Sequence, residues 1–251
     1  MTLTRKTVGV PKVEARLVAS LRRALIREAT GPLRRSVTAV ELDSFQGVAD
    51  LVIGEFNGLH ILPGTISRNR LKAFSFSTAK LLATLDRRKV IRVSQIAEKC
   101  GLSLATVRKE LRKLRETKII DIQRPDRVRI LHLVSPPFKE LVAFEVKVKD
   151  WKSGLRQARS YKSFANQAYL ALPQGRAELL KDHIKVFKRF NVGLVGVGSG
   201  GRLHWHARAR RSKPISLARY YYASLQLLIN TPRGMLKSAT KTLHSQAPRP
   251  N

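Results

Sequence analysis

The sequence predicts an α/β fold: a mixed sheet flanked by helices and interrupted by a smaller unit with a pattern of its own. Three observations carry this expectation. Residues 47–56 and 141–151 are largely apolar runs rich in branched and aromatic side chains, the composition of buried strands. Helical patterns flank both, over 13–29 with Leu17, Leu21 and Leu25 on one face, and after Trp151 with Gln157 and Tyr161 one turn apart. Between the two runs, residues 69–134 follow neither pattern and are long enough for a domain of their own.

In chain order, the helix over 13–29 places Glu14 near its start, as a candidate auxiliary acid beside the sheet. The strand carrying Asp50 follows. Within the interrupting unit, 78–85 reads as a helix and 90–93 as a short strand; Ser94 is then expected to cap a helix over 95–100, Gly101 to make a turn, and Ser103 to start a second capped helix. Ala97 is small enough for the two helices to approach, Gly101 accepts the turn, and Val107, Leu111 and Leu114 make a buried stripe. Residues 119–123 and 128–134 read as a hairpin around Arg124-Pro125-Asp126. This succession resembles the winged helix-turn-helix DNA-binding family. The resemblance implies that the second helix enters a DNA groove, presenting Ser103 and Thr106 to base edges and Arg108, Lys109, Arg112 and Lys113 to phosphates, with Arg124, Arg127 and Arg129 on the wing.

In the strand-like run 141–151, Glu145 and Lys147 share one face and Val146 points to the other. If this strand pairs antiparallel with 47–56, closing near Phe56 and Lys139, equal steps back from the closure set Asp50 opposite 145–147. Two carboxylates and an ammonium then meet the needs of metal-assisted phosphodiester hydrolysis: a cation holder and a group that orients or stabilises an oxyanion. The order of these residues resembles the PD-(D/E)XK nuclease superfamily, and Gln157-Ala-Arg-Ser-Tyr161 resembles the Gln-x-x-x-Tyr motif of its RecB-like branch, over residues 13–56 and 138–210. Ala49 stands where the family has proline before the aspartate, and the unusually long segment between the acids is the inserted unit.

The resemblance implies a restriction-endonuclease-like core made of residues 1–67 and 135–213, split by the winged helix-turn-helix at 69–134 and followed by a basic helical extension at 214–251. It implies an endonuclease that hydrolyses DNA with Mg²⁺ or Mn²⁺. Asp50, Glu145 and the Val146 carbonyl would hold the cation, Lys147 would orient water or balance charge, and Gln157 and Tyr161 would position the strand. Two other classes stay open: a non-catalytic winged-helix regulator on a nuclease-like scaffold, and an RNA-binding structural protein.

Charge narrows the partners. The chain holds 49 Lys plus Arg against 17 Asp plus Glu, a formal charge of +32, which attracts a polyanion and argues against small neutral substrates. No Asp or Glu follows Asp182, so the extension either adds phosphate contacts or packs Leu217, Leu225, Leu228 and Tyr220 to Tyr222 on the core. Charge-free stretches are too short to span a bilayer and the start lacks the apolar segment of a signal peptide, so a cytoplasmic location with DNA and without membrane is expected. A second copy of the chain or another protein of a DNA-processing complex is left open as a partner. Cys100 is the only cysteine, which excludes an internal disulfide and disfavours a thiolate zinc site. Gly196, Gly198 and Gly201 fit a Gly-x-Gly-x-x-Gly string, yet a strand rather than a helix follows, so a hairpin turn is expected; His204 and His206 share a strand face without a third ligand.

Overall fold

The structure, a computed structural model, describes residues 12–28, 36–45, 47–56, 68–85, 90–124, 126–131 and 135–232. Helix α1 (Lys12–Glu28) precedes the hairpin β1 (Ser36–Asp43) and β2 (Val48–Phe56). The chain then leaves for α2 (Arg68–Lys72), α3 (Phe76–Thr84), β3 (Ile91–Arg92), α4 (Val93–Cys100), α5 (Leu104–Glu116), β4 (Ile120–Arg124) and β5 (Arg127–Ile130). It returns as β6 (Phe138–Val146), followed by α6 (Trp151–Tyr161), β7 (Gln167–Pro173), α7 (Gln174–Glu178), α8 (Ile184–Phe190), β8 (Gly193–Val197), β9 (Leu203–Ala207) and α9 (Leu217–Asn230).

Among the described residues, six strands form one sheet in the order β1-β2-β6-β7-β8-β9, and β3-β5-β4 form a small second sheet. β6, β7 and β8 run parallel, because α6 and then α7 with α8 supply the crossovers that parallel neighbours require. The remaining neighbours in the large sheet are antiparallel. This is the mixed sheet flanked by helices, with a helix-turn-helix unit, that the sequence predicts. Among the described residues no helix is long and apolar enough to cross a membrane.

On one face, Val18, Leu21, Ala24 and Leu25 of α1 bury against Leu51, Phe144, Val146, Tyr169 and Val195. On the other, Leu155 and Ala158 of α6 meet Leu170, Leu172 and Leu194, while α9 lies over β1 and β2. Gly54 permits that approach: a Cβ there would stand 2.5 Å from Leu227 Cδ2 and 2.6 Å from Phe138 Cδ1. The same helix packs on α3, so the sheet and the inserted unit share one hydrophobic cluster. Phe45, held at φ 69°, stacks on Phe76 at 3.9 Å, and Tyr222 meets both rings edge-on. Tyr220, Tyr221, Leu225 and Leu228 are core residues, and the Tyr220 hydroxyl donates to the Phe138 carbonyl at 2.7 Å. Arg233, Lys237, Lys241 and Arg249 lie outside the described residues.

β2 and β6 are antiparallel neighbours in register from Leu51↔Phe144 to Glu55↔Glu140, and a bulge moves the last pair to Phe56↔Phe138 rather than Lys139. The interrupting chain therefore leaves and rejoins at adjacent strand ends, where closing a long insertion costs little. Within it, α3 is capped by Ser75, whose Oγ accepts from Thr78 N. α4 begins two residues earlier than expected, and Ser94 is exposed in its first turn instead of capping it. The start is fixed from elsewhere: Val93 N donates to the Asp126 carbonyl at 2.8 Å, and Gln95 Oε1 accepts from Arg92 N at 3.3 Å.

Two strands of the large sheet, β1 and β7, have no counterpart in the sequence reading. β8 and β9 pair antiparallel through the turn that the glycines of 196–201 make, the hairpin the sequence predicts.

Candidate functional site

The carboxyl ends of β6, β7 and β8 lie at one edge of the sheet, where the amino end of antiparallel β2 also arrives. Regular pairing of β2 with β6 stops at Leu51↔Phe144. Asp50 and Glu145 come next on their strands, and there the ladder gives way to a side chain: Asp50 Oδ2 accepts from Val146 N at 2.7 Å. Glu145 is 1% exposed, under α6 rather than open to solvent. Its Oε1 takes the Lys147 ammonium at 2.8 Å, and its Oε2 accepts from the Tyr161 hydroxyl on α6. That hydroxyl also lies 2.9 Å from the Val48 carbonyl. One phenolic proton cannot serve both acceptors fully; when Glu145 is protonated, its own proton satisfies the phenol oxygen and the phenol donates to Val48.

α6 reaches this position because Asp150 caps it, accepting from Ser153 N at 3.0 Å, and because Gly154 has no side chain. A Cβ on Gly154 would meet Lys147 Cγ at 2.9 Å and Leu170 Cδ1 at 2.6 Å. Tyr161 is therefore a core residue with its hydroxyl aimed at the acid. Gln157, one turn earlier, is exposed and takes no part in these bonds. Asp50, Glu145, Lys147 and Tyr161 are thus brought together, and Gln157 stands at the rim.

Electrostatics follow from the burial. Desolvation raises the Asp50 carboxyl above its ordinary range, more than the Val146 amide and the Lys147 charge lower it; Glu14 and Glu41 push in the same direction as burial. Desolvation and then the Asp50 charge raise Glu145 against its bonds from Lys147 and Tyr161. Burial opposes the Lys147 ammonium, but the bond and charge of Glu145, with Glu14 and Asp50, outweigh it and raise that group as well. Tyr161 is pushed far up by burial and by Glu145. Glu14 therefore acts on the cluster from α1 through its charge.

Asp50 Oδ1 has no hydrogen-bond partner among the described residues and is the oxygen a divalent cation would take first; Glu145, bonded through both oxygens, would join it through its remaining lone pairs. No group of three or more His, Cys, Asp and Glu side chains with metal-site geometry occurs among the described residues. Remaining ligands would come from the Val146 carbonyl, water and a phosphate, the habit of Mg²⁺ rather than of a closed structural site.

The second candidate surface is the pair α4 and α5 with the β4–β5 hairpin. Gly101 ends α4 in the left-handed conformation (φ 60°), and Ala97 and Val107 are buried between the helices. Residues 78–124 match the DeoR-like helix-turn-helix domain. No curated protein and no solved structure matches the chain. The DeoR-like domain supports DNA binding, and α5 is the second helix of its helix-turn-helix pair.

Along α5, Arg108, Lys109 and Arg112 are exposed, and Arg108 and Arg112 rim a cavity of about 360 Å³ floored by Val93, Leu111 and Ile122, between α5 and the β4–β5 hairpin. Ser103 and Thr106 are tied in the cap, with Ser103 Oγ accepting from Thr106 N and the two hydroxyls 2.9 Å apart. Lys113 faces inward: its Nζ bonds Glu110 Oε1 at 2.9 Å and the Ala73 carbonyl at 3.2 Å. Arg127 and Arg129 are exposed on β5; the Arg124 side chain lies outside the described residues.

Glu110 itself, 4% exposed and accepting from the Thr78 hydroxyl, was not singled out in the sequence. The signal was its place in the stripe, three residues after Val107 and four before Leu114. The Val48 carbonyl carries no sequence signal, since any residue supplies one.

Proposed function

We propose that this chain is a metal-dependent deoxyribonuclease directed to its substrate by the DeoR-like domain. The observation that carries the reading is the convergence of Asp50, Glu145, Lys147 and Tyr161 on one point at the carboxyl edge of the sheet. Asp50 and Glu145 would hold Mg²⁺ or Mn²⁺, which supplies Lewis-acid polarisation of a phosphodiester and charge neutralisation when bound. Lys147, ion-paired with Glu145, would steady an attacking water or the charge that develops on the phosphate. Tyr161 fixes the Glu145 carboxylate from behind and is a positioning residue; Gln157 at the rim is free to contact the strand.

The second reading is a DeoR-like DNA-binding regulator with the cluster as a buried scaffold. It is favoured by Glu145, whose two oxygens are already satisfied by Lys147 and Tyr161. Supercoiled plasmid separates the two. Nicking that needs Mg²⁺ or Mn²⁺ and disappears in Asp50→Asn and Glu145→Gln, with DNA affinity retained, is the expected result; sequence-specific binding without metal-dependent cutting would establish the regulator.

A further inference from the structure

Two strands from the carboxylates, at the same edge of the sheet, α1 and the turn from β8 to β9 enclose a cavity of about 370 Å³. The parallel strands end level: Val146 pairs with Ala171, and Ala171 with Val195, so the turn at 198–201 rises just beyond. At roughly 4.8 Å per strand it stands about 10 Å to the side of Glu145. α1 bridges the interval. Glu14 near its start acts on Asp50 and Lys147, and Arg23 and Arg27 further along line the cavity.

The walls are cationic and rich in donors. Arg23, Arg27 and Ser20 face the glycine-rich turn, and no acid is among the described lining residues. Gly200 and Gly201 sit at φ 68° and 75°, a conformation that keeps side chains out of the turn. The amides of Ser199 and Gly200 make no backbone hydrogen bond among the described residues. Arg27 is seated by its Nη2, which donates to the Gly201 carbonyl at 2.9 Å and more weakly to Gly200 at 3.4 Å; a guanidinium has further donors to offer. Forked cations, open amides and no carboxylate are the chemistry that receives a phosphate.

We propose that this cavity is a phosphate subsite, holding a backbone phosphate of the nucleic-acid chain whose scissile bond lies at Asp50 and Glu145. Its second half rests on the nuclease reading; phosphate recognition does not. A chain gripped here runs across the strand ends, so the subsite sets the direction in which the substrate enters.

The test uses full-length Glu145→Gln protein, with the amides of 199–201 followed by NMR during titration with inorganic phosphate and with a short single-stranded oligodeoxynucleotide. Both ligands should shift these amides, the oligonucleotide at about tenfold lower concentration or less because its other contacts tether it. Arg23→Ala should weaken both responses by about tenfold, one charge-assisted bond. Arg23 anchors nothing among the described residues, so its loss does not disturb the turn as Arg27→Ala would. Unshifted amides, or shifts indifferent to Arg23→Ala, would overturn the subsite; equal concentrations for the two ligands would overturn its assignment to nucleic acid. If amides respond as expected while the unmodified protein cuts no DNA, the subsite stands and the nuclease reading falls.

Discussion

Tyr161→Phe removes one oxygen from the centre of the cluster and leaves the ring packing on Phe164 and the α6 stripe intact. Glu145 Oε2 and the Val48 carbonyl both lose a partner. A hydrogen bond to a buried charged group is worth about 1.5–3 kcal/mol, and one pH unit corresponds to about 1.4 kcal/mol, so the effect on Glu145 is about one to two pH units. Its direction is fixed. The phenol lowers the Glu145 carboxyl, so removing it raises that group further and the carboxylate forms only at higher pH. The acid limb of the plasmid-nicking pH profile should therefore move alkaline by about one unit or more, with the alkaline plateau retained once Glu145 is ionised. Nicking rates from pH 5 to 9 at saturating Mg²⁺, with melting temperatures beside them, measure both effects. A variant that melts lower but keeps the acid limb in place would refute the link between Tyr161 and Glu145 ionisation and leave Tyr161 as packing alone.

Two further predictions concern binding and stability. Arg112→Ala should flatten the slope of log affinity against log salt by about 0.9, one phosphate contact, whereas Lys113→Ala should leave the slope unchanged and cost stability, about 1–3 kcal/mol, by stripping a partner from buried Glu110. Fluorescence anisotropy and thermal melts tell these apart; equal salt slopes in both variants would mean that Arg112 does not touch phosphate. For Asp50, whose carboxyl burial holds above its ordinary value, the associated stability is complete below about pH 4 and is lost as pH rises through the raised value. Asp50→Asn should accordingly gain melting temperature relative to the cation-free parent as pH rises from below about 4 to neutrality, and Mg²⁺ should narrow that gap at neutral pH; a difference constant over this whole range would contradict the burial argument.

Much of this arrangement was legible because it rests on local chemistry. The Asp50 register followed from counting residues back from a strand closure, and the one-residue bulge at Phe56 shifted only the far end of the pairing. The turn at Gly101 and the stripe of Val107, Leu111 and Leu114 were readable because each needs one residue type at one spacing. β7 was not readable. Its Gln-Ala-Tyr-Leu-Ala-Leu-Pro has the alanine and leucine of a helix, and a strand buried on both faces shows no alternation to betray it. α4 starts early because a carbonyl from a distant hairpin receives Val93 N, a tertiary contact that overrides the local preference for Ser94. Lys113 read as a phosphate contact because helix position alone does not reveal that Glu110 and the Ala73 carbonyl already hold it. Burial of Glu145 under α6 depends on Gly154, whose missing side chain is silent until its neighbours are known.

The wedge formed by α9 reaches beyond packing. Because that helix lies against β1 and β2 on one side and α3 on the other, with Phe45, Phe76 and Tyr222 packed between them, the helix-turn-helix and the strands that carry the carboxylates share one hydrophobic core. An enzyme whose reader swings on a tether scatters its cuts over every position the tether allows. On the proposed nuclease reading, a fixed span between the bound sequence and the carboxylates would be a built-in ruler, so cleavage should fall at one offset from the bound sequence, and substitutions at Gly54 or Leu227 that unseat the wedge should blur the position of the cut before they abolish it.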